Sequence, residues 1–423
     1  MKTQESRQTT DLYQKTRCRY CQNSLPEPFL ELGAMALANS FLTQEEAEEE
    51  AFVCPLSLTW CSCCGLVQLS HVVPAEKMFS HYLYVSSTTQ TFKKHFSDYA
   101  QDAKLKLQSQ KSSLVAVDIG SNDGLLLSCY QKEGMKAVGV EPAKNLSEEA
   151  NRKGFPTVCD YFGETSVEKI LREQGPADIV SANNVFAHID DIPKVLRNVF
   201  KLLDPPGIFI IEFPYLVIML EEMFFDMIYH EHLSYIAVMP LQEVLCQFNL
   251  EIFDIEKVAS HGGSLRVFIQ KKKEDGRPIS PVVQSFVKDE TEKSYRNFKI
   301  YQEFAGRVHQ VKRDLTNFTR KIKSEGKSIS GYGAPAKGNT LINFCKFDTS
   351  TIDFIVDDNP LKQNLLTPGA KIPVVPSQYL FENPTDYVLI FAWNFAEEII
   401  KKLNPLKQKG VKFIVPLPKP RIL

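Results

Sequence analysis

The stretch "SLVAVDIGSNDGLLLSCYQ", residues 113–131, decides the fold. Its first half is a small, β-branched apolar run ending at Asp118, and a helix opens near Leu125. Between them lies a loop with Gly120, Asn122 and Gly124. Downstream, "KAVGVEPA" (136–143) reads as a second buried strand that stops at Glu141, followed by a helix through "AKNLSEEANRKG". A strand, a glycine loop, a helix, a strand and an acid in that order place an adenosine ligand across the strand tips. The acid then accepts from both ribose hydroxyls.

Loop chemistry chooses between ligands. A dinucleotide loop is G-x-G-x-x-G, tight enough for a pyrophosphate to meet the helix N-terminus. Here the pattern is D-x-G-x-x-x-G, with Asp118 and Asp123 flanking Asn122. Extra carboxylates repel a pyrophosphate and suit the ammonium and sulfonium of S-adenosylmethionine. The expectation is an α/β chain with a central class I methyltransferase (Rossmann-like) domain. "ADIVSANNVFAHIDDIPKVLRNVFKLLDPPGIFIIEFP" (177–214) adds a strand to Ser181, a polar turn, a helix from about Asp190 and a strand to Phe213. "LEIFDIEKV" and "GSLRVFIQ" read as a closing antiparallel pair, so the whole predicts a doubly wound sheet. The turn carries Asn183, Asn184 and His188 outside the carboxyl ends of the strands, where ligands bind. The spacing of Asn184 and His188 predicts one helical face; an Asx turn beside a solvated histidine is the alternative.

Composition bounds the rest. The 423 residues allow two or three domains. With 49 basic against 51 acidic residues, the net charge of -2 gives no overall field to draw in nucleic acid or anionic lipid. No run approaches the ~20 apolar residues that span a bilayer. The opening "MKTQESRQTTDLYQKTR" lacks the apolar core of a signal peptide, so a cytoplasmic location is expected. In that compartment the ten cysteines are metal ligands or core residues rather than disulfides. "CRYC" presents Cys18 and Cys21, and "CSCC" presents Cys61 and Cys64. Two such knuckles suit a tetrahedral zinc, and four thiolates leave no open position, so the metal is structural. Cys63 and Cys54 are possible replacements, and buried free thiols are the ordinary alternative.

"FFDMIYHEHLSYIAV" (224–238) sets Tyr229, His230, Glu231 and His232 in an apolar run. Four residues beyond His230 stands Ser234, so the H-E-x-x-H metalloprotease pattern is absent. A second metal site has no nearby third ligand. The remaining reading is acid/base chemistry, a histidine near its ordinary pKa oriented by a carboxylate or phenol, with structural histidines as the alternative. A methyltransferase that needs a base has an acidic substrate proton.

In the last third, apolar residues recur from Val282 to Ile322 and predict a long interdomain helix. "KSISGYGAPAKGNTLINFC" and "TIDFIVDDNP" then give G-x-G-x-x-A and a strand ending at Asp357 and Asp358, the outline of a second nucleotide fold. Its loop carries Lys337, useful against phosphate.

Together "CRYC", "CSCCGLVQL", "YLYVSS", "DIGSNDG", "ANNVFAHIDD", "YHEHLSY", "HGGSLRV", "GYGAPAKGNT" and "FIVDDNPLKQ" resemble the nucleotide-sugar C-methyltransferases that methylate C3 of a 4-keto-deoxysugar. The resemblance implies a zinc-binding domain over 1–75, a methyltransferase domain over 76–272 with a helical lead-in to 112, and a C-terminal Rossmann-like domain over 282–423. It implies that His232 is the base assisted by Tyr229 and Glu231, and that Asn184, His188 and either Tyr82 or Tyr84 line the substrate pocket. Asp118, Gly120, Asn122, Gly124, Glu141 and Asn183 are the expected S-adenosylmethionine residues. Cys18, Cys21, Cys61 and Cys64 are the expected zinc ligands. The expected partner is a small nucleotide sugar, with no nucleic acid and no membrane. An NAD-dependent oxidoreductase using the "GYGAPAKG" loop, an O-methyltransferase, and an inactive binding module are the alternatives.

Overall fold

A computed structural model describes residues 13–79, 90–273 and 276–423; Tyr82 and Tyr84 lie outside them. The N-terminal strands are β1 (Tyr13–Gln14), β2 (Leu30–Ala36), β3 (Val53–Trp60), β4 (Val67–Leu69) and β5 (His71–Val72). β1 and β5 pair with each other, and β2, β3 and β4 form an antiparallel ladder.

The central sheet contains parallel strands β6 (Val115–Ile119), β7 (Lys136–Val140), β8 (Thr157–Val158), β9 (Ala177–Asn183) and β10 (Leu203–Pro214). β11 (Ser234–Tyr235) stands apart from it, and β12 (Leu250–Val258) and β13 (Ser264–Lys271) close it antiparallel. The order is β12-β13-β10-β9-β6-β7-β8. The chain leaves β6 to one side and returns to β9 on the other, so the ligand crevice opens above those two strand ends. Every residue of β6 is buried, as expected for a central strand covered on both faces.

The turn after β6 depends on its glycines. Gly120 has φ +67°, and a Cβ there would lie 2.5 Å from Val185 Cγ2. Gly124 has φ +84°, and its Cβ would meet Phe155 at 2.6 Å. Both backbones approach neighbours too closely for any side chain.

β14 (Ile329–Tyr332), β15 (Ile355–Val356), β16 (Val374–Val375), β17 (Tyr387–Ile390), β18 (Lys412–Val415) and β19 (Arg421–Ile422) build the C-terminal sheet, ordered β16-β15-β14-β17-β18-β19. Only the β18–β19 pair is antiparallel.

Two expectations change. The long apolar stripe is two helices, Pro281–Glu292 and Phe298–Ser324. Asn297 caps the second, its side chain accepting from Lys299 N at 3.0 Å, and Ser294 turns the chain at φ 60°. Periodicity runs on through that turn, because Tyr295 and Phe298 still face the core cluster. Asn184 and His188 do not share a helix: Asn184 is left-handed at φ 54°, and His188 ends the 3-10 turn Phe186–His188. The helix itself begins at Ile192, where Asp191 caps Lys194 N.

β11 is the unexpected element. It adds to the edge of the N-terminal sheet, Ser234 opposite Gln68 and Tyr235 opposite Val67, giving the order β11-β4-β3-β2. The segment between residues 224 and 235 is held from the C-terminal side as well. Thr340 Oγ1 donates to Ile228 O at 3.0 Å, and Asn339 in the same helix (Ala336–Cys345) donates to Ala38 O at 2.7 Å. No described helix is long and apolar enough to cross a membrane.

Candidate active site

One cavity of about 1180 Å³ runs from the ends of β6 and β7 to the loop after β14. That exceeds the usual size of a site for one small ligand, roughly 300–1,000 Å³, and leaves room for two. Its first end is formed by Gly120, Asn122 and Glu141, with Ile119, Val140 and Phe162 as apolar walls. Glu141 accepts from Asn122 N at 2.9 Å and from Ala143 N at 2.8 Å, which fixes its carboxylate at the rim. Burial raises its pKa against those two bonds.

Asp118 and Gly124 are set back from the wall. Asp118 is 4% exposed and accepts from Ser181 Oγ at 2.6 Å. Burial pushes its carboxyl up to about 7, against the Ser181 bond and with the added charge of Glu141. Asn183 and Asn184 do line the cavity, and Asn184 Nδ2 donates to Asn183 Oδ1 at 2.7 Å. Asn183 Nδ2 and Asn184 Oδ1 are buried with no partner among the described residues. A fixed carboxylate, apolar walls and buried amide atoms form a donor set that fits S-adenosylmethionine.

Midway stands His232. Its Nδ1 lies 2.8 Å from Met227 O, and because a carbonyl only accepts, the proton sits on Nδ1. Nε2 is therefore the basic nitrogen, and Tyr229 Oη donates to it at 2.5 Å. The His188 ring lies 5.0 Å from that of His232 and stacks on Phe79. Glu231 is buried behind the wall, where Asn39 Nδ2 donates to it at 2.6 Å. His230 turns the other way, its Nε2 donating to Cys54 O in β3 at 3.1 Å. Burial lowers its pKa to about 4, so it is a neutral structural residue at pH 7.

The far end belongs to the C-terminal sheet. Lys337 reaches the cavity with its Nζ 4.1 Å from the Trp393 ring, donating to Asn394 Oδ1 at 2.5 Å. Lys362 lines the same wall and donates to Ala334 O at 2.9 Å. Burial lowers both lysines' pKa values; Asp226 opposes it at Lys337, and Asp357 and Glu231 oppose it at Lys362. Trp393 Nε1 donates to Asp226 Oδ2 at 2.5 Å, and burial pushes the Asp226 carboxyl up to about 6.

The acids of the C-terminal fingerprint are engaged by the protein itself. Asp357 accepts from Ala334 N at 2.6 Å and Asn359 N at 2.8 Å. Asp358 is held by Lys402 at 2.7 Å, Ser377 at 2.5 Å and Tyr332 at 3.1 Å. Asp357 is thus held by its loop as Glu141 is by its own, and Asp358 is turned into a cluster with Lys402, Ser377 and Tyr332.

Three family models match in tandem: a zinc binding domain over residues 18–79, a methyltransferase domain over 92–255, and a C-methyltransferase C-terminal domain over 259–418. The chain is 34% identical over 406 residues to C-methyltransferase NovU of Streptomyces niveus, which covers 96% of each protein. The chain belongs to the S-adenosylmethionine-dependent C-methyltransferases. A ubiquinone biosynthesis O-methyltransferase of Rhodopseudomonas palustris (strain BisB5) is 31% identical over 102 residues, 24% of this chain and 40% of that one. Among solved structures, a S-adenosylmethionine-dependent methyltransferase from Clostridium acetobutylicum ATCC 824 matches 43% of this chain and 92% of its own at 15% identity, with a TM-score of 0.35.

In this C-methyltransferase the Sγ atoms of Cys18, Cys21, Cys61 and Cys64 all lie within 4.8 Å of one another. The pairs Cys18–Cys64 and Cys21–Cys61 are 3.6 and 3.5 Å apart. A tetrahedral zinc with Zn–S near 2.3 Å places its sulfurs ~3.8 Å apart, so the four thiols fit that ion. Cys63 is exposed and accepts from Asn23 Nδ2, and Cys54 is buried in β3; neither belongs to the cluster.

Four residues at or beside the cavity were not singled out in the sequence, and three of them carry no signal of their own. Asn39 precedes Glu231 by 192 positions, and Asp226 and Trp393 meet only across the interface. Lys362 is the exception. It follows the strand-end acids in "DDNPLKQ", where the loops of a nucleotide fold face its ligand.

Proposed function

We propose that this C-methyltransferase alkylates C3 of a nucleoside-diphosphate 4-keto-6-deoxyhexose through an enolate. The observation that carries the reading is the cavity itself. A histidine with its basic Nε2 fixed by the Met227 carbonyl stands between a cofactor-like edge and two half-buried lysines. Cations drawn partly out of water call for an anion, and no carboxylate hydrogen-bonds the Nζ of Lys337 or Lys362 among the described residues. A sugar carrying a diphosphate supplies that anion at one end and a small reactive ring at the other.

A C4 ketone acidifies the C3–H bond. His232 Nε2 takes the C3 proton as the Tyr229 phenol moves aside, and the C–H electrons pass into the C3–C4 bond and onto the ketone oxygen. The Tyr229 phenol and the His188 and Asn184 side chains surround the place where that oxyanion develops. S-adenosylmethionine, held at the Glu141 edge, supplies an electrophilic methyl group whose bond electrons leave with sulfur. Glu231, fixed by Asn39, adds a buried negative charge beside Lys362 at the same end of the site. On this reading the enzyme serves deoxysugar biosynthesis in the cytoplasm. Against an oxidoreductase stands the match of the C-terminal sheet itself to a C-methyltransferase C-terminal domain over residues 259–418.

Incubation with nucleoside-diphosphate 4-keto-sugars in heavy water is the direct test. Deuterium should enter C3 and the product should gain one methylene by mass, with NMR locating the new methyl. His232→Gln should abolish both while leaving S-adenosylmethionine affinity near that of the parent. Methylation at C5, also alpha to the ketone, would retain the enolate and correct the position. Methylation at oxygen, or undiminished turnover in His232→Gln, would overturn the mechanism.

A further inference from the structure

Arg19 lies between two zinc ligands and is fully buried. Its Nη1 donates to Gln68 Oε1 at 3.1 Å and to Leu69 O at 2.8 Å. Its Nε stands 2.9 Å from Asp190 Oδ1, an ionic contact without hydrogen-bond alignment. Asp190 also receives the Tyr13 hydroxyl at 2.6 Å and Lys15 Nζ at 2.8 Å, so three side chains from the zinc-binding end converge on one carboxylate. Asp190 belongs to the methyltransferase domain. It lines the cavity two residues after His188, in the loop that begins with Asn183 and Asn184.

The second coordination layer reaches the opposite wall. Gln68 Nε2 donates to Cys18 Sγ at 3.2 Å, and Gln68 sits opposite Ser234 in the β4–β11 ladder, two residues after His232. The knuckle "CRYC" therefore touches both histidine-bearing walls, one through Gln68 and β11, the other through Arg19 and Asp190. A buried guanidinium is costly unless paired, and its partners here are an amide and a carbonyl of β4 on one side and a carboxylate of the Asn183–Asp191 loop on the other. Moving any of them leaves the charge exposed to an apolar interior.

We propose that Arg19 is a positioning residue that ties the zinc knuckle to Asp190 and thereby holds the Asn183–Asp191 loop, with His188, against His232. Zinc then acts on turnover without touching substrate. The four thiolates fix the backbone on either side of Arg19, and Arg19 fixes the loop. The inference rests on the reading of His188 as part of the substrate pocket, but the position of the loop is measurable without turnover.

The test combines Arg19→Gln, Asp190→Asn and the double variant, each assayed for zinc content, S-adenosylmethionine affinity, kcat, KM and hydrogen exchange. With one zinc bound, each single change should lower kcat about tenfold or more, as losses of outer-shell partners do. The double variant should be no worse than the poorer single one. Peptides covering 183–191 should exchange faster in both variants, and in the wild type after chelation, while those covering 115–140 keep wild-type protection. Arg19→Lys should restore part of both readouts. If chelation unfolds the whole chain, the zinc-loaded Asp190→Asn protein decides by its own exchange pattern. Wild-type exchange at 183–191 in that protein, or losses that multiply in the double variant, would overturn the proposal. Faster loop exchange with unchanged kcat would uphold the coupling and remove His188 from the pocket instead.

Discussion

Asp226→Asn isolates the cost of the buried charge at the domain junction. The carboxyl is fully buried beside Lys337, and burial moves its pKa from 3.8 to about 6. A shift of ~2 units corresponds to ~3 kcal/mol. The sign follows from proton binding. Between about pH 4 and 6 the folded chain holds this proton more tightly than the unfolded chain, so stability falls as pH rises through that window. Above it the penalty is present in full. Asparagine keeps the oxygen that accepts from Trp393 and removes the charge. Its new N–H group brings a cost of its own, so the pH dependence is a cleaner measure than the level. Urea unfolding of both zinc-saturated proteins at pH 5 and pH 8 should show the variant gaining on the wild type by ~1.4 kcal/mol between the two, about half of the full penalty. Histidines and thiols titrate alike in the two proteins and cancel. An equal difference at both pH values would refute the claim that Asp226 is held charged at a cost.

Lys362→Met should raise KM for the sugar nucleotide on the order of tenfold with a smaller change in kcat, measured in steady-state turnover, since its half-buried side chain lines the end of the cavity assigned to the diphosphate. Tyr229→Phe removes a phenol assigned to the developing oxyanion and should slow deuterium exchange at C3 by about tenfold, while calorimetry finds cofactor affinity unchanged; faster exchange would mean that the phenol acts only by occupying His232 Nε2. His230, whose pKa burial lowers to about 4, binds fewer protons folded than unfolded, so it lends stability above pH 6.5 that is lost as pH falls toward 4. His230→Gln should flatten the stability profile in that window, as urea titrations between pH 5 and 7 will show.

Much of the architecture was legible because it rests on local patterns. The apolar run before Asp118, the φ-positive glycines and the strand-end Glu141 are contiguous signals, and each short cysteine pair carries its own metal geometry. The "YHEH" cluster was visible in the sequence as polar groups set in an apolar run, but its geometry was not. Nothing in its neighbours says that Met227 O sets the His232 tautomer, or that His230 faces away toward Cys54. Asn39, Asp226 and Trp393 were invisible because their partners lie 167 or more positions distant. The break near Ser294 was masked because a short turn can preserve the apolar period on both sides.

β11 gives the N-terminal sheet a birth defect that the rest of the chain repairs. Gln68 and Ser234 are 166 residues apart, so β4 emerges from the ribosome long before its neighbour exists. At ~5–20 residues per second that edge waits roughly 8–33 s with unpaired N–H and C=O groups, open to any other extended chain. The order of synthesis therefore leaves this edge open for that interval, and a slower codon tract before residue 234 would lengthen its exposure.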